Sequence, residues 1–551
     1  MSAESRPLTR TYSIPEGCRD ELLDETGAPL PHAAELIASL QRLGPEALHA
    51  AGRRRDAIFM QQGITFEIAG SDGERRDRAW PLDLVPRVIT GAEWTIIKRG
   101  LAQRIRALNA FVDDVYHAHE IVRAGIVPWS LIVSRKEFAR PVHGVRAPGG
   151  VYCHVCGCDL VRDGAGRWRV LEDNVRTPSG ISYVLENRVA MTRLVPELFA
   201  GHRVRGVEHY PSLLLDALRA VAPAAESHPT IVLWTPGVMN SAYFEHAFLA
   251  RQMGVELVEP SDLVVRDAVC YMRTTAGLER VHTIYRRLDD SFIDPLEFRP
   301  DSLLGVPGLV RAYRAGTVAI ANAIGTGVAD DKAVYYYVPE MIRFYLGEEP
   351  ILENVPTYLL ANDRERAHVL GRLSEVVVKP TSESGGKGVF IGPQATAAEL
   401  QEQKRLIEHE PDAWIAQELV HLSTAPTDVG GHLEPRHVDL RPFAVLGEEI
   451  RIVPGGLTRV ALREGSMIVN SSAGGGSKDT WVLDDDTGVD AAPGTLPPYR
   501  PPRLPDVRYG GGWHGQAQQQ QQHGEVGAHA RPPRSAHAPT GRRPHAASGT
   551  D

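Results

Sequence analysis

Three side chains with hard oxygen donors, Asp159, Glu172 and Asn174, sit in the stretch Gly157-Cys-Asp-Leu-Val-Arg-Asp-Gly-Ala-Gly-Arg-Trp-Arg-Val-Leu-Glu-Asp-Asn-Val-Arg-Thr-Pro-Ser-Gly180. Apolar Leu160 and Val161, a Gly164-Ala-Gly166 turn, and then Trp168, Val170 and Leu171 read as strand, turn, strand. A hairpin of this shape carries Asp159 on one strand toward Glu172 and Asn174 at the end of the other. Two carboxylates and an amide oxygen can hold Mg²⁺ and still leave positions for phosphate and water. The competing reading is a hairpin edge decorated with solvated acids.

A second region offers the complementary charge. Glu375-Val-Val-Val-Lys-Pro380 is a short apolar run that ends in a cation, as a buried strand delivering Lys379 to its tip would be. Ser382-Glu-Ser-Gly-Gly-Lys-Gly388 follows at once. Glycines let backbone N–H groups turn toward an anion and let it approach closely, so Lys379 and this loop form a plausible phosphate cradle. The spacing is neither that of a P-loop nor that of a dinucleotide-binding turn. A flexible surface loop is the alternative.

Four more segments continue the series: Trp414-Ile-Ala-Gln-Glu-Leu-Val420, Asp439-Leu-Arg-Pro-Phe-Ala-Val445, Gly455-Gly-Leu-Thr-Arg-Val-Ala461 and Asn470-Ser-Ser-Ala-Gly-Gly-Gly-Ser-Lys478. A lysine strand, a Gly-rich loop, a Q-E-L hinge, a D-x-R strand, an arginine and an N-x-x-x-G-G-G turn together resemble the successive parts of an ATP-grasp nucleotide site. The Asp-hairpin-Glu-x-Asn element with its Pro178-Ser-Gly180 turn resembles the Mg²⁺ module of that fold. Here that module precedes the lysine strand by roughly two hundred residues, the size of one inserted domain. The order resembles the circularly permuted ATP-grasp type 2 family, relatives of the glutathionylspermidine synthetase ligase domain, over about Arg87 to Leu483.

The resemblance implies an α/β (α+β) protein: a circularly permuted ATP-grasp with an inserted Rossmann-like pre-ATP-grasp unit. It also implies an ADP-forming ligase that activates a carboxylate as an acyl phosphate and lets an amine displace the phosphate. ATP and Mg²⁺ are the implied cofactors, with Mn²⁺ as an alternative ion. Lys379, Ser384, Gly385, Gly386, Lys387 and Gly388 would meet the phosphates, and Gln417, Glu418 and Leu419 the adenine and ribose. Asp159, Glu172 and Asn174 would hold the metal. Arg441 and Arg459 would stabilise charge on the transferred phosphoryl group, Asn470 would be a further catalytic residue, and the Gly474–Lys478 turn would lie near the acyl phosphate. Lys332, after Asp330 and Asp331, is a further candidate for phosphate contact, against a solvated charge cluster. Lys387 departs from the neutral or aromatic residue common in relatives. No segment resembles the amidase half of some glutathionylspermidine synthetases, so that substrate is not implied. A kinase or phosphotransferase, and a nucleotide-binding protein without turnover, are the alternative functions.

The elements that must position these residues can be read more coarsely. An N-terminal mixed segment (1–95) contains a Pro-started helix from Pro31 to Leu43. Leu101, Ile105, Leu108, Val112 and Val115 make one stripe of an amphipathic helix that leads into the metal-binding half (96–200). In 201–325, strand Thr230–Trp234, helix Asn240–Met253 and strand Val255–Val258 alternate as in an open α/β unit, with ligands expected beyond the strand ends. Asn240 and Ser241 sit at such an end, either as substrate contacts or as turn and cap residues. Arg286 and Arg287 offer bidentate recognition of a carboxylate or phosphate, or a structural salt bridge to Asp289 or Asp290. The nucleotide half occupies 326–483. Beyond it, a Pro-, Gly- and His-rich tail (484–551) with a Gln518–Gln522 run is expected to be disordered.

Composition agrees with a large enzyme. A chain of 551 residues, 43% hydrophobic, has room for roughly three to four structural units. A net charge of −9 disfavours nucleic-acid or polybasic membrane binding. The partners that the resemblance implies are a small molecule or short peptide bearing a carboxylate and an amine, held in the cleft of the α/β unit, without nucleic acid or membrane. Neither a long apolar run nor a signal-like start is evident, and five cysteines suit a reducing cytoplasm. Cys153, Cys156 and Cys158 with His154 could spell half a zinc site, but neighbouring strand positions face opposite ways and no second pair follows.

Overall fold

The structure is a computed structural model that describes residues 12–69, 75–223, 227–382, 388–466, 469 and 475–484. It is a mixed α/β protein built on three sheets that matter to the site. A ten-stranded sheet runs in the order Glu353–Asn354, Trp168–Asn174, Val155–Arg162, His432–Arg441, Leu457–Val460, Gly476–Val482, Leu82–Ile89, with Thr424–Val429, Phe443–Leu446 and Ile450–Ile452 attached. A four-stranded sheet orders Thr357–Leu359, Trp414–Glu418, Val376–Pro380 and Phe390–Ile391. Another four-stranded sheet orders Ala319–Ala321, Thr283–Arg286, Ile231–Trp234 and Glu256–Val258, all parallel.

The hairpin strand Val155–Arg162 is buried along its whole length because the sheet is covered on both faces. Alternation divides its side chains. Cys156, Cys158 and Leu160 join the core formed with the helix Gly91–Tyr116, whose Leu101, Ile105, Leu108, Val112 and Val115 are at most 2% exposed. A capping box between Thr90 and Glu93 starts that helix. Gly157 and Asp159 point the other way. The three clustered cysteines thus act as small apolar residues, and burial pushes the thiols of Cys156 and Cys158 well up. All five cysteines are free, and no group of three or more His, Cys, Asp or Glu suited to a metal occurs among the described residues.

The Pro-started helix is a 3-10 turn Pro31–Ala33 leading into Ala34–Gln62, which breaks where Gly44 takes a φ of 74° before Pro45. The expected end at Leu43 is this kink. The N-terminal segment does not stand apart from the rest of the fold: its strand Leu82–Ile89 lies parallel to Gly476–Val482 at the edge of the large sheet. In the parallel unit, helix Tyr243–Met253 connects Ile231–Trp234 to Glu256–Val258. No described helix is long and apolar enough to cross a membrane. The tail beyond Asp484 lies outside the described residues.

Candidate functional site

The hairpin places Asp159 opposite Glu172 and Gly157 opposite Asn174, with a register shift just after Asp159. A bulge of this kind bends a strand and re-aims its side chains. The next strand across, His432–Arg441, brings Arg441, and the one after it Arg459, which faces Asp439 directly. The Asp159 carboxylate accepts from Arg441 Nε at 2.5 Å and Nη2 at 2.8 Å, and from Arg459 Nη2 at 2.7 Å. Arg459 Nε also donates to Asp439 at 2.9 and 3.0 Å. Burial works against ionisation of Asp159, yet the Arg441 and Arg459 guanidiniums hold its carboxyl well below the usual carboxylate range. Glu172 stands at the mouth of this array, 27% exposed, with Arg441 Nη2 at 3.8 Å and Lys332 Nζ at 4.0 Å.

Lys379 reaches the same place from the other sheet. It is next to last in its strand, opposite Ile415. Burial lowers its pKa to about 8, and the charges that act on it are, in order, those of Glu172, Lys332, Asp159 and Arg459. The lysine strand and the hairpin, distant in sequence, thus share one electrostatic environment. Gln417, on the strand beside Lys379, donates through Nε2 to Leu171 O at 3.4 Å and Thr357 Oγ1 at 3.2 Å, a direct link between the two sheets. Glu418 accepts from Tyr358 at 2.6 Å and from Arg372 at 3.0 Å, and Leu419 follows, half-buried. Gly388 has a φ of +69°, and a Cβ there would lie 3.3 Å from Pro380. Ser384, Gly385, Gly386, Lys387 and Asn470 lie outside the described residues.

The donor set suits Mg²⁺ with an incomplete protein shell. Asp159 and Glu172 supply carboxylate oxygens, while Asn174 donates through Nδ2 to Gly157 O at 3.0 Å and retains Oδ1 as an acceptor. With no closed cage of charged ligands among the described residues, such an ion would draw on phosphate and water, as Mg²⁺ commonly does.

Other expected contacts are placed differently. Arg286 is fully buried and donates to Asn322 O, Leu288 O and Ala323 O at 2.9, 2.7 and 3.1 Å, with Asp290 at 2.6 Å. Arg287 donates to Glu245 at 2.8 Å, Pro178 O at 2.8 Å and Tyr285 Oη at 3.1 Å. Arg286 thus pairs with Asp290, one of the two acids named for it, whereas the acid facing Arg287 is Glu245 and neither Asp289 nor Asp290. Asn240 Oδ1 accepts from Ala242 N at 2.9 Å, which makes it a turn residue ahead of the helix, and Ser241 is exposed beside it. The expected turn at Gly474–Lys478 is already strand from Gly476 on. Lys478 is buried there against Asp83, with Val85 O at 3.1 Å and Pro426 O at 2.7 Å. Lys332 does flank the site: its N–H donates to Thr381 O at 3.2 Å, just past the lysine strand.

The motifs left several residues unmarked. Asp439 stands in the D-x-R pattern, but the pattern does not show the partnership with Arg459 that makes it structurally necessary. Glu137, Arg176, Asp330 and Thr381 line a cleft beside Glu172 and Asn174. They come from separate loops and carry no common spacing.

A lysine-bearing antiparallel sheet sharing a charged site with an acid- and arginine-lined larger sheet defines the ATP-grasp class. The family model for circularly permuted ATP-grasp type 2 proteins matches residues 86–461. A Synechocystis sp. protein is 53% identical over 469 residues, 85% of this chain and 97% of the relative. A Mycobacterium tuberculosis protein is 54% identical over 465 residues, 84% of each chain. A Frankia alni protein that bears the provisional name glutamate–cysteine ligase 2-3 is 46% identical over 467 residues, 84% of this chain and 53% of the relative. Among solved structures, a glutathione synthetase-like effector from Globodera pallida shares the fold with a TM-score of 0.52 at 11% identity, covering 80% of this chain and 97% of that one. The chain belongs to the circularly permuted ATP-grasp type 2 family.

Proposed function

We propose that this protein is an ATP- and Mg²⁺-dependent ligase that joins a carboxylic acid to an amine through an acyl phosphate, releasing ADP and phosphate. The observation that carries this reading is the array of Asp159, Arg441 and Arg459 with Glu172 at its mouth, bound to the lysine-bearing sheet through Gln417 and Leu171 and acting on Lys379 by its charges. Family membership and the ligase name of the Frankia relatives support it. Lys379 neutralises phosphate charge, together with Lys387, Ser384 and the amides of Gly385, Gly386 and Gly388. Asp159, Glu172 and Asn174 would hold the metal, which would supply positive charge against the phosphates. Arg441 and Arg459, fixed in place by Asp159 and Asp439, offer donors to charge that develops on the transferred phosphoryl group. Gln417, Glu418 and Leu419 border the adenine and ribose, and Asn470 is a further catalytic candidate.

The parallel sheet Ile231–Ala321 serves as the inserted Rossmann-like unit that borders the acceptor side. Glutamate and cysteine are the first substrates to try, on the strength of the relatives' names. Free cysteines suit a reducing, cytoplasmic setting. Calorimetric titration of ATP·Mg²⁺ into wild type, Lys379→Ala and Glu172→Ala is the first test. Wild type is expected to bind, and both variants to lose the Mg²⁺-dependent part of the affinity. Wild type without Mg²⁺-dependent binding removes the basis of the proposal. ADP release that does not require an amine would make the protein a phosphotransferase instead.

A further inference from the structure

We propose that Glu137 receives the amine substrate: its Oε2 accepts an N–H of the incoming ammonium and takes a proton as the C–N bond forms. This assignment rests on the ligase reading above and names the acceptor side of that site. Glu137 lies in the turn after the short helix Trp129–Val133 and lines the same cleft as Glu172, Asn174, Lys332 and Thr381. Its side chain is 9% exposed. Its Oε2 is buried without a hydrogen-bond partner among the described residues, while Oε1 lies 3.8 Å from Lys136 Nζ. A buried carboxylate oxygen without a donor is costly, and a ligand N–H would satisfy it.

The neighbouring acids are engaged elsewhere. Asp330 Oδ1 accepts the backbone N–H groups of Val175 and Arg176. Asp331 Oδ1 accepts those of Ala333 and Val334; its Oδ2 has no hydrogen bond among the described residues but, unlike Glu137 Oε2, is ion-paired, with Arg135 Nε at 3.3 Å. Asp289 holds Arg176 at 2.5 Å. Arg176 is thereby neutralised and is not offered to a substrate carboxylate. Metal binding is the less suitable role, because Glu137 does not converge with Asp159 and Glu172 into a group able to hold an ion.

Packing fixes the carboxylate. A Cβ on Gly327 would come within 3.2 Å of Glu137 Cβ and 3.3 Å of Arg176 Cδ, so glycine lets that turn close against both. The charged and titratable groups facing Glu137 are Lys136 and Arg176, which favour its ionised form, and Asp331, which opposes it; Tyr116 lies close as well. Burial outweighs these and lifts its pKa to about 7, which suits a base that must take and release a proton near neutrality.

The step balances. The ammonium gives one proton to Glu137 and its nitrogen lone pair attacks the acyl carbon. The C–N bond forms, the C–O bond to phosphate breaks with its electron pair leaving on oxygen, and the second nitrogen proton goes to the departing phosphate. Glu137 returns its proton to solvent.

The test uses full-length wild type, Glu137→Gln and Glu137→Asp with ATP and Mg²⁺. Each of the twenty α-amino acids is offered as the acid with hydroxylamine, a nucleophile uncharged at neutral pH. The most active acid is then paired with each amino acid as the amine. Amine transfer relative to hydroxamate formation is expected to fall about 10²-fold in Glu137→Gln, with Glu137→Asp between. The limb of the rate profile that falls below about pH 7 is expected to vanish in Glu137→Gln. Because both reactions scale with the folded fraction, the ratio is insensitive to partial unfolding. A ratio within twofold of wild type overturns the role of Glu137 and leaves the ligase reading standing. No hydroxamate from wild type with any acid overturns the ligase reading and this assignment with it.

Discussion

Two pairs of arginines stand in buried ion clusters of this protein, and their surroundings give them opposite work. Arg286 ends a parallel strand and Arg287 follows it, and both donate mainly to backbone carbonyls and to carboxylates enclosed with them. Glu245, the partner of Arg287, also accepts from Gly180 N at 2.7 Å and from Ser182 N and Oγ at 3.2 and 3.0 Å. That pair therefore clasps the turn entering helix Ile181–Leu194. Arg441 and Arg459 instead meet carboxylates at the edge of an opening, where Glu172 is partly exposed and Lys379 approaches from another sheet. Partners that are fixed carbonyls make a framework. Partners that are carboxylates near a cleft are what the proposed function would redistribute.

The largest effect expected from this contrast is on stability. Arg287→Met leaves the Glu245 carboxylate buried beside a lost cation, which typically costs about 3–5 kcal/mol. Urea denaturation should show that loss, and the double variant Arg287→Met/Glu245→Gln should recover part of it. A single variant that keeps wild-type stability but loses ligation would return Arg287 to the substrate side and erase the contrast. Next comes Arg441→Met, for which ADP release should drop about 10²–10³-fold, the usual scale for removing one donor to developing charge. Stability should suffer less than in Arg287→Met, since Asp159 keeps Arg459 and the Arg441 side chain is already 12% exposed. Arg441→Lys should recover little, because an ammonium does not reproduce the two-pronged contact with Asp159. An Arg441→Met protein that is as unstable as Arg287→Met yet fully active per folded molecule would place both pairs in the framework.

The parts of the site that were legible in the sequence are those set by local pattern. A hairpin with one short turn fixes which residues face each other, so Asp159 and Glu172 could be paired from alternation alone. The lysine strand and the helix stripe were equally legible, because each is a single period over a short run. Long-range pairing left no such mark. Lys478 follows three glycines and reads as a loop cation, but it faces Asp83, 395 residues earlier, because Gly476–Val482 finds its neighbour in Leu82–Ile89. The two readings of Arg286 and Arg287 were equivalent on paper, since sequence does not show which carbonyls close around a guanidinium. Glu137 was silent for a related reason. A single acid in a polar turn has no spacing, and its meaning comes from Gly327 and Arg176, which arrive from other segments.

The smallest of these effects extends the contrast to a third cluster, one whose central carboxylate is wholly enclosed. Glu21 is fully buried between Arg87 and Arg162, with Ser423 Oγ at 2.6 Å and Arg162 Nη1 at 2.7 Å. Burial opposes its ionisation, but the two guanidiniums prevail and bring its pKa from 4.5 to about 2. A carboxyl whose pKa is depressed by folding contributes stability that is present above the unfolded value and is lost as pH falls through the folded one. Between pH 4.5 and 2, wild type should therefore lose about 1 kcal/mol per pH unit more than Glu21→Gln, which has no proton to take up there. Stability measured by urea denaturation at stepped pH gives both slopes. Equal slopes would mean that Arg87 and Arg162 do not govern the ionisation of Glu21, and that its cluster is no more committed to the framework than the one around Asp159.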